Sequence, residues 1–88
     1  MDKETVLTKI QQCGIVAVVR AENADTARRI TDACIAGGVA AIELTFTVPR
    51  ADKVIETLAA NYGPEEIILG AGTVMDAATA RIAMLCGA

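Results

Sequence analysis

The stretch that most constrains this chain is Gly38 to Pro49, GVAAIELTFTVP. It is apolar almost throughout and bounded by glycine and proline, which reads as a buried parallel strand. Side chains alternate across a strand, so Ile42, Leu44 and Phe46 share one face while Ala41, Glu43 and Thr45 share the other. The first face suits covering helices. The second, small and polar, suits the interior of a barrel. Glu43 is then a carboxylate in a mostly dry setting, costly unless something pairs with it, hydrogen-bonds it or uses it. In a parallel α/β barrel it would lie near the C-terminal mouth, where the strand-to-helix loops open and chemistry sits. Plainer placements stay open: an edge residue facing water, or a structural partner of an arginine.

The rest of the chain alternates helix and strand around this stretch. Asp2 to Gln12 reads as a short amphipathic helix with Val6, Leu7, Ile10 and then Cys13 on one side, packing as a lid. Ile15 to Val19 is a continuous apolar run, expected as a fully buried strand that Arg20 ends. Asn23 is placed to cap a helix with Asp25 in its first turn. That helix carries Ala27, Ile30 and Cys34 inward, with Asp25 and Arg29, and Arg28 and Asp32, as i,i+4 pairs outside. Gly37 and Gly38 stop it. After the central strand, Pro49 sits where a helix can begin, and that helix turns Val54, Ile55 and Leu58 inward. Asn61 to Glu66 is a turn built on Gly63 and Pro64. Ile67 to Leu69 start a third strand that runs into Gly70-Ala71-Gly72-Thr73. Asp76 then caps a helix bearing Ala78, Ile82 and Leu85, closed by Gly87.

Strand starts near residues 15, 40 and 67 define a βα unit of about 25 to 27 residues, and eight such units make roughly 200 residues, the lower end of the closed (β/α)₈ range. The fold class expected is therefore α/β, of the (β/α)₈ TIM-barrel type, with residues 1–88 forming an N-terminal helix and about three units of a single barrel domain. Three units alone leave parallel edges unpaired. The expectation is an N-terminal part of a longer protein, or a chain that assembles to cover those edges.

Composition narrows the function classes. The chain is 53% hydrophobic with 2% aromatic residues and a net charge of −3, so it offers neither the basic patch nor the stacking platform of a nucleic-acid binder. Its three cysteines, Cys13, Cys34 and Cys86, are widely spaced, and there is no histidine to complete a metal set; they are expected to be reduced core residues. No metal and no cofactor is implied. Neither a secretion signal nor a membrane span is legible, which leaves the cytoplasm as the expected location.

Polar residues gather at the predicted C-terminal strand ends: Arg20 after the first, Glu43 with Thr45 and Thr47 on the second, Thr73 after the third. Arg20 can grip a carboxylate or phosphate with a planar fork of donors. A partly desolvated Glu43 suits proton shuttling near neutral pH. Gly70 and Gly72 would let backbone amides approach a ligand, although GAGT is equally a tight strand-to-helix turn. It is not the dinucleotide fingerprint, since no glycine or alanine follows three residues after Gly72.

GIVAVVRA, AGGVAAIELTFTVPRA and ILGAGTV, in this order and spacing, resemble the 2-keto-3-deoxy-6-phosphogluconate (KDPG) aldolase and 4-hydroxy-2-oxoglutarate (KHG) aldolase family, over essentially the whole chain from Gly14 onward. The resemblance implies a (β/α)₈ barrel, usually a homotrimer, that cleaves a 2-keto-4-hydroxy acid, phosphorylated in the KDPG case, to pyruvate and an aldehyde through a lysine Schiff base without a metal. It makes Glu43 the general acid/base, Thr73 a contact to the pyruvate carboxylate and Arg20 a substrate-binding arginine. Thr47 stands where some members carry an arginine, so carboxylate binding would rest more on Arg20, Thr73 and backbone amides.

In that family the Schiff-base lysine lies on the sixth strand. Lys3, Lys9 and Lys53 all fall on predicted helix surfaces, so the 88-residue chain is expected to be inactive alone. Two other readings stay open: a phosphosugar isomerase or epimerase barrel with Glu43 as base, and a non-catalytic, self-associating partial barrel.

Overall fold

The computed structural model describes residues 2–88. Helix α1 (Lys3–Cys13) is followed by β1 (Ala17–Val19), α2 (Ala24–Ala36), β2 (Ala41–Thr45), α3 (Ala51–Asn61), β3 (Ile68–Gly72) and α4 (Ala77–Cys86). The strands form one parallel sheet in the order β1-β2-β3. Chain order and sheet order coincide because each helix carries the chain back to the start of the next strand, the βαβ arrangement.

Local chemistry sets the helix ends. The side chains of Asp2, Asn23 and Asp76 accept from the amides of Thr5, Thr26 and Thr79 at 2.7–2.8 Å, satisfying donors that the first turn leaves unpaired. Those bonds also hold the Asp2 and Asp76 carboxyls below their ordinary value. Helix α3 departs from expectation. It starts at Ala51, so Pro49 lies in the preceding turn, and its cap position is Arg50 at φ 57° with no side-chain cap. At Gly87 (φ 120°) α4 passes so close to α3 that a Cβ would collide with Ala59.

One face of the sheet is covered. Val19, Ile42 and Leu44 pack with Ala27 of α2 and with Val54, Ile55 and Leu58 of α3, all at most 3% exposed. Tyr62, just past α3, donates to Asp32 of α2 at 3.0 Å, which joins the two covering helices and holds the Tyr62 hydroxyl above its ordinary value.

Several expectations fail on what lies over each face. The first strand is Ala17–Val19 rather than Ile15–Val19, and of its run only Val19 is buried, with Ile15, Val16 and Val18 41–62% exposed. The cause is position: β1 is an edge strand with an open face. On α2, Thr31 is buried and bonded to Ala27 O at 2.8 Å, while Ile30 is 40% exposed. Arg28 pairs with both Asp25 and Asp32, at 3.2 and 3.5 Å, in place of the Asp25 and Arg29 pair. On α4 the buried residue is Ala83, and Ile82 and Leu85 point out at 46% and 74% exposure. The helix turns small residues to α3, where the close approach at Gly87 leaves no room for large ones. Leu7 likewise leaves the inward stripe of α1, whose partly buried residues are Val6, Lys9, Ile10 and Cys13.

The three cysteines are free and half-buried; Cys34 and Cys86 pack against the core, as expected, and Cys13 does not. Cys13 and Ala40 line one small cleft, which puts the end of α1 beside the start of β2. Cys13 Sγ donates to Ile15 O at 3.3 Å, and backbone hydrogen bonding, at Ala40 first, holds the thiol below its ordinary value. No described helix is long and apolar enough to cross a membrane.

Candidate active site

The parallel register aligns Val18, Glu43 and Gly70 across the three strands, and Thr45 with Gly72 one row further along. These residues share the face opposite the helix-covered core. At its start this face is closed by Ala41 and at its end by Thr45, each 1% exposed. Between them Glu43 is half-buried, and its carboxylate has no ion-pair partner among the described residues. On one side stands Val18, 52% exposed. On the other, Gly70 offers no side chain.

The Glu43 side chain does not stand straight above its register partner. A Cβ at Gly72 would collide with Glu43 Oε1 and lie 2.8 Å from Cδ, whereas one at Gly70 would meet only Ile42 O, at an ordinary 3.8 Å. The carboxylate therefore leans along the sheet toward the C-terminal ends of the strands and rests over Gly72. Gly72 itself is held from the other side, its carbonyl accepting from Phe46 N at 2.9 Å.

The next residue, Thr73, is exposed and has φ 56°. For a β-branched residue this left-handed conformation is strained by about 1–2 kcal/mol, and such strain concentrates at functional positions. Nothing in the sequence marks it: GAGT reads as a tight strand-to-helix turn without showing which of its residues takes the left-handed conformation.

Thr45 has its hydroxyl buried and engaged. Its Oγ1 reaches Val19 O at 3.4 Å and Thr47 Oγ1 at 2.6 Å. Either hydroxyl can be the donor of the short bond, and the other accepts. Thr47 is exposed at the rim. The same contacts tie the end of β1 to the end of β2 and so set where Arg20 leaves the sheet. Arg20 is exposed and, continuing the register of β1, follows Val19 into the row of Thr45 and Gly72.

All six residues read from the sequence thus fall at one end of the sheet: Arg20, Glu43, Thr45, Thr47, Gly72 and Thr73. Direct contact joins Glu43 with Gly72 and Thr45 with Thr47. A cleft of about 390 Å³ lies elsewhere, at the start of β3 between Val6, Tyr62, Ile67 and Gly87. None of the six lines it. Polar groups chemically capable of proton transfer and anion binding stand at this rim, away from that cleft.

A family model described as "Aldolase: KDPG and KHG aldolase" matches residues 6–88. No curated protein matches the chain by sequence.

Proposed function

We propose a catalytic reading for this chain, which belongs to the KDPG and KHG aldolase family: it supplies the acid/base and part of the pyruvate site of a class I aldolase barrel. The observation that carries it is Glu43, a half-buried carboxylate without an ion-pair partner among the described residues, leaning over Gly72 toward the rim where Arg20 and Thr73 emerge. The substrate is a 2-keto-4-hydroxy acid, 2-keto-3-deoxy-6-phosphogluconate or 4-hydroxy-2-oxoglutarate.

A lysine amine attacks the C2 carbonyl, and the carbinolamine loses water to give an iminium. Glu43 returns a proton to the departing water oxygen, then takes the C4 hydroxyl proton as the C3–C4 bond breaks. The bond electrons neutralise the iminium as an enamine and the aldehyde leaves. Glu43 gives its proton to C3, and water releases pyruvate from the lysine. Arg20 pairs with an anionic group of the substrate. The Thr73 hydroxyl donates to the pyruvate carboxylate. Thr47, exposed at the rim beside Thr45, accepts from a substrate hydroxyl.

The lysine of this reaction belongs to chain beyond these residues, within a closed (β/α)₈ barrel that assembles as a homotrimer in the cytoplasm. Lys3 and Lys9 lie on α1, with Lys9 beside Ala40 and Ile68 at the opposite, starting end of β2 and β3, and Lys53 on α3 pairs with Glu56 at 3.6 Å. Borohydride reduction in the presence of pyruvate tests the reading. The 88-residue chain is expected to gain no adduct by intact mass, and the chain extended through further βα units to gain one per protomer. An adduct on the 88-residue chain, or none on the extended one, overturns it.

Exposed apolar residues favour a second reading, self-association of the 88-residue chain. Ile15, Val16 and Val18 at one edge, and Ile82, Met84 and Leu85 on α4, are 41–74% exposed. Sedimentation across a concentration series would show association, and a monomer throughout counts against it.

A further inference from the structure

Gly70 and Gly72 are two residues apart on β3 and face the same way, yet their surroundings differ. A Cβ at Gly70 fits with ordinary contact, while one at Gly72 would overlap Glu43 Oε1 and stand 2.8 Å from Cδ and 3.0 Å from Cγ. Gly72 cannot retreat, because its carbonyl is bonded to Phe46 N and its row is paired with Thr45. The mobile partner is the Glu43 side chain, half-buried, with three rotatable bonds and no ion pair among the described residues.

We infer that Gly72 is the positioning residue for Glu43: the space left by its missing side chain fixes where the carboxylate lies. This changes the role read from the sequence, in which Gly72 gives its backbone to a ligand. Above the Cα of Gly72 that space is taken by Glu43. The geometric claim stands on the coordinates of two side-by-side strands; only its catalytic meaning rests on the aldolase reading. An alanine at Gly72 displaces the far end of a flexible chain and not backbone, so the carboxylate is evicted while the fold persists. An alanine at Gly70 leaves it in place.

The test is NMR on the 88-residue chain with labelled glutamate, comparing wild type, Gly70→Ala and Gly72→Ala. In the wild type, a nuclear Overhauser effect joins the Glu43 γ-protons to the Gly72 α-protons. Gly70→Ala keeps it and leaves the Glu43 Cδ resonance unmoved. Gly72→Ala abolishes the contact and shifts that resonance, at a nearly unchanged melting temperature. An unmoved Glu43 resonance in Gly72→Ala overturns the inference, as does an equal shift in Gly70→Ala.

Should Gly72→Ala fail to fold, the Gly72→Ala/Glu43→Ala double variant decides. Recovery of the fold shows that the carboxylate was the obstacle, and continued failure overturns the inference. Pyruvate trapping is read separately, so failure of the aldolase reading leaves this NMR signature intact.

Discussion

The two faces of the sheet are built from alternate residues of the same strands and behave oppositely. On the covered face Val19, Ile42 and Leu44 are at most 2% exposed and lock to α2 and α3. On the other face Val18 and Glu43, each one residue away, are open or half-open. Stability is concentrated on the first face and reactive groups on the second. A face free of large packed side chains is where a carboxylate can be held partly dry without an ion pair.

The comparison is sharpest when one face is altered at a time. Glu43→Gln, in a protein that carries this segment together with the lysine, should lower turnover by about 10²–10⁴-fold, the usual worth of a general acid/base. Its melting temperature should hardly move, and pyruvate-release kinetics beside a thermal melt check both. Leu44→Ala, next door on the covered face, should cost about 2–5 kcal/mol, read as a lower urea midpoint at constant slope. Equal losses of stability at the two positions would break the contrast.

Smaller effects refine it. Asn23→Ala removes the cap of a covering helix and should cost about 1 kcal/mol by the same urea titration. Val18→Thr, on the open face, should change stability by no more than about 0.5 kcal/mol; a larger loss would mean that this face is covered in solution.

Acid should separate the helices by their caps. The Asp2 and Asp76 carboxyls lie below their ordinary value in the folded chain through bonds from Thr5 and Thr79. A depressed folded-state value means that their stabilisation is present above the ordinary aspartate value and lost as pH falls through the folded-state one. Amide exchange at Thr5 and Thr79 should therefore accelerate in acid relative to Thr26, whose cap Asn23 does not titrate.

Much of this arrangement is legible without coordinates. The caps at Asn23 and Asp76, the glycine stops and the alternation IELT on β2 are signals spanning a few residues, and each led to the correct element. Arg20, Glu43 and Thr73 could be placed at one end of the sheet because parallel strands must all deliver their C-termini to the same side. The failures share another cause. Ile15, Ile30, Ile82 and Leu85 are apolar at helical or strand spacing, and spacing alone does not say which apolar residues find a partner. Thr73 is legible as a site residue, but its left-handed backbone is not, since that follows from how β3 leaves the sheet.

The succession of helices and strands, the caps at Asn23 and Asp76 and the alternation of β2 are written in the residues themselves, because they depend on interactions within about one turn of helix or one pair of strand residues. That β1 lies at the sheet edge, that α4 turns Ala83 inward, that Thr45 ties two strand ends together and that Glu43 rests over Gly72 emerge only from packing in three dimensions. Residues 43 and 72 are far apart in the chain. Their contact exists because β2 and β3 pair in one register, and a register shifted by one residue would turn one of the two to the opposite face.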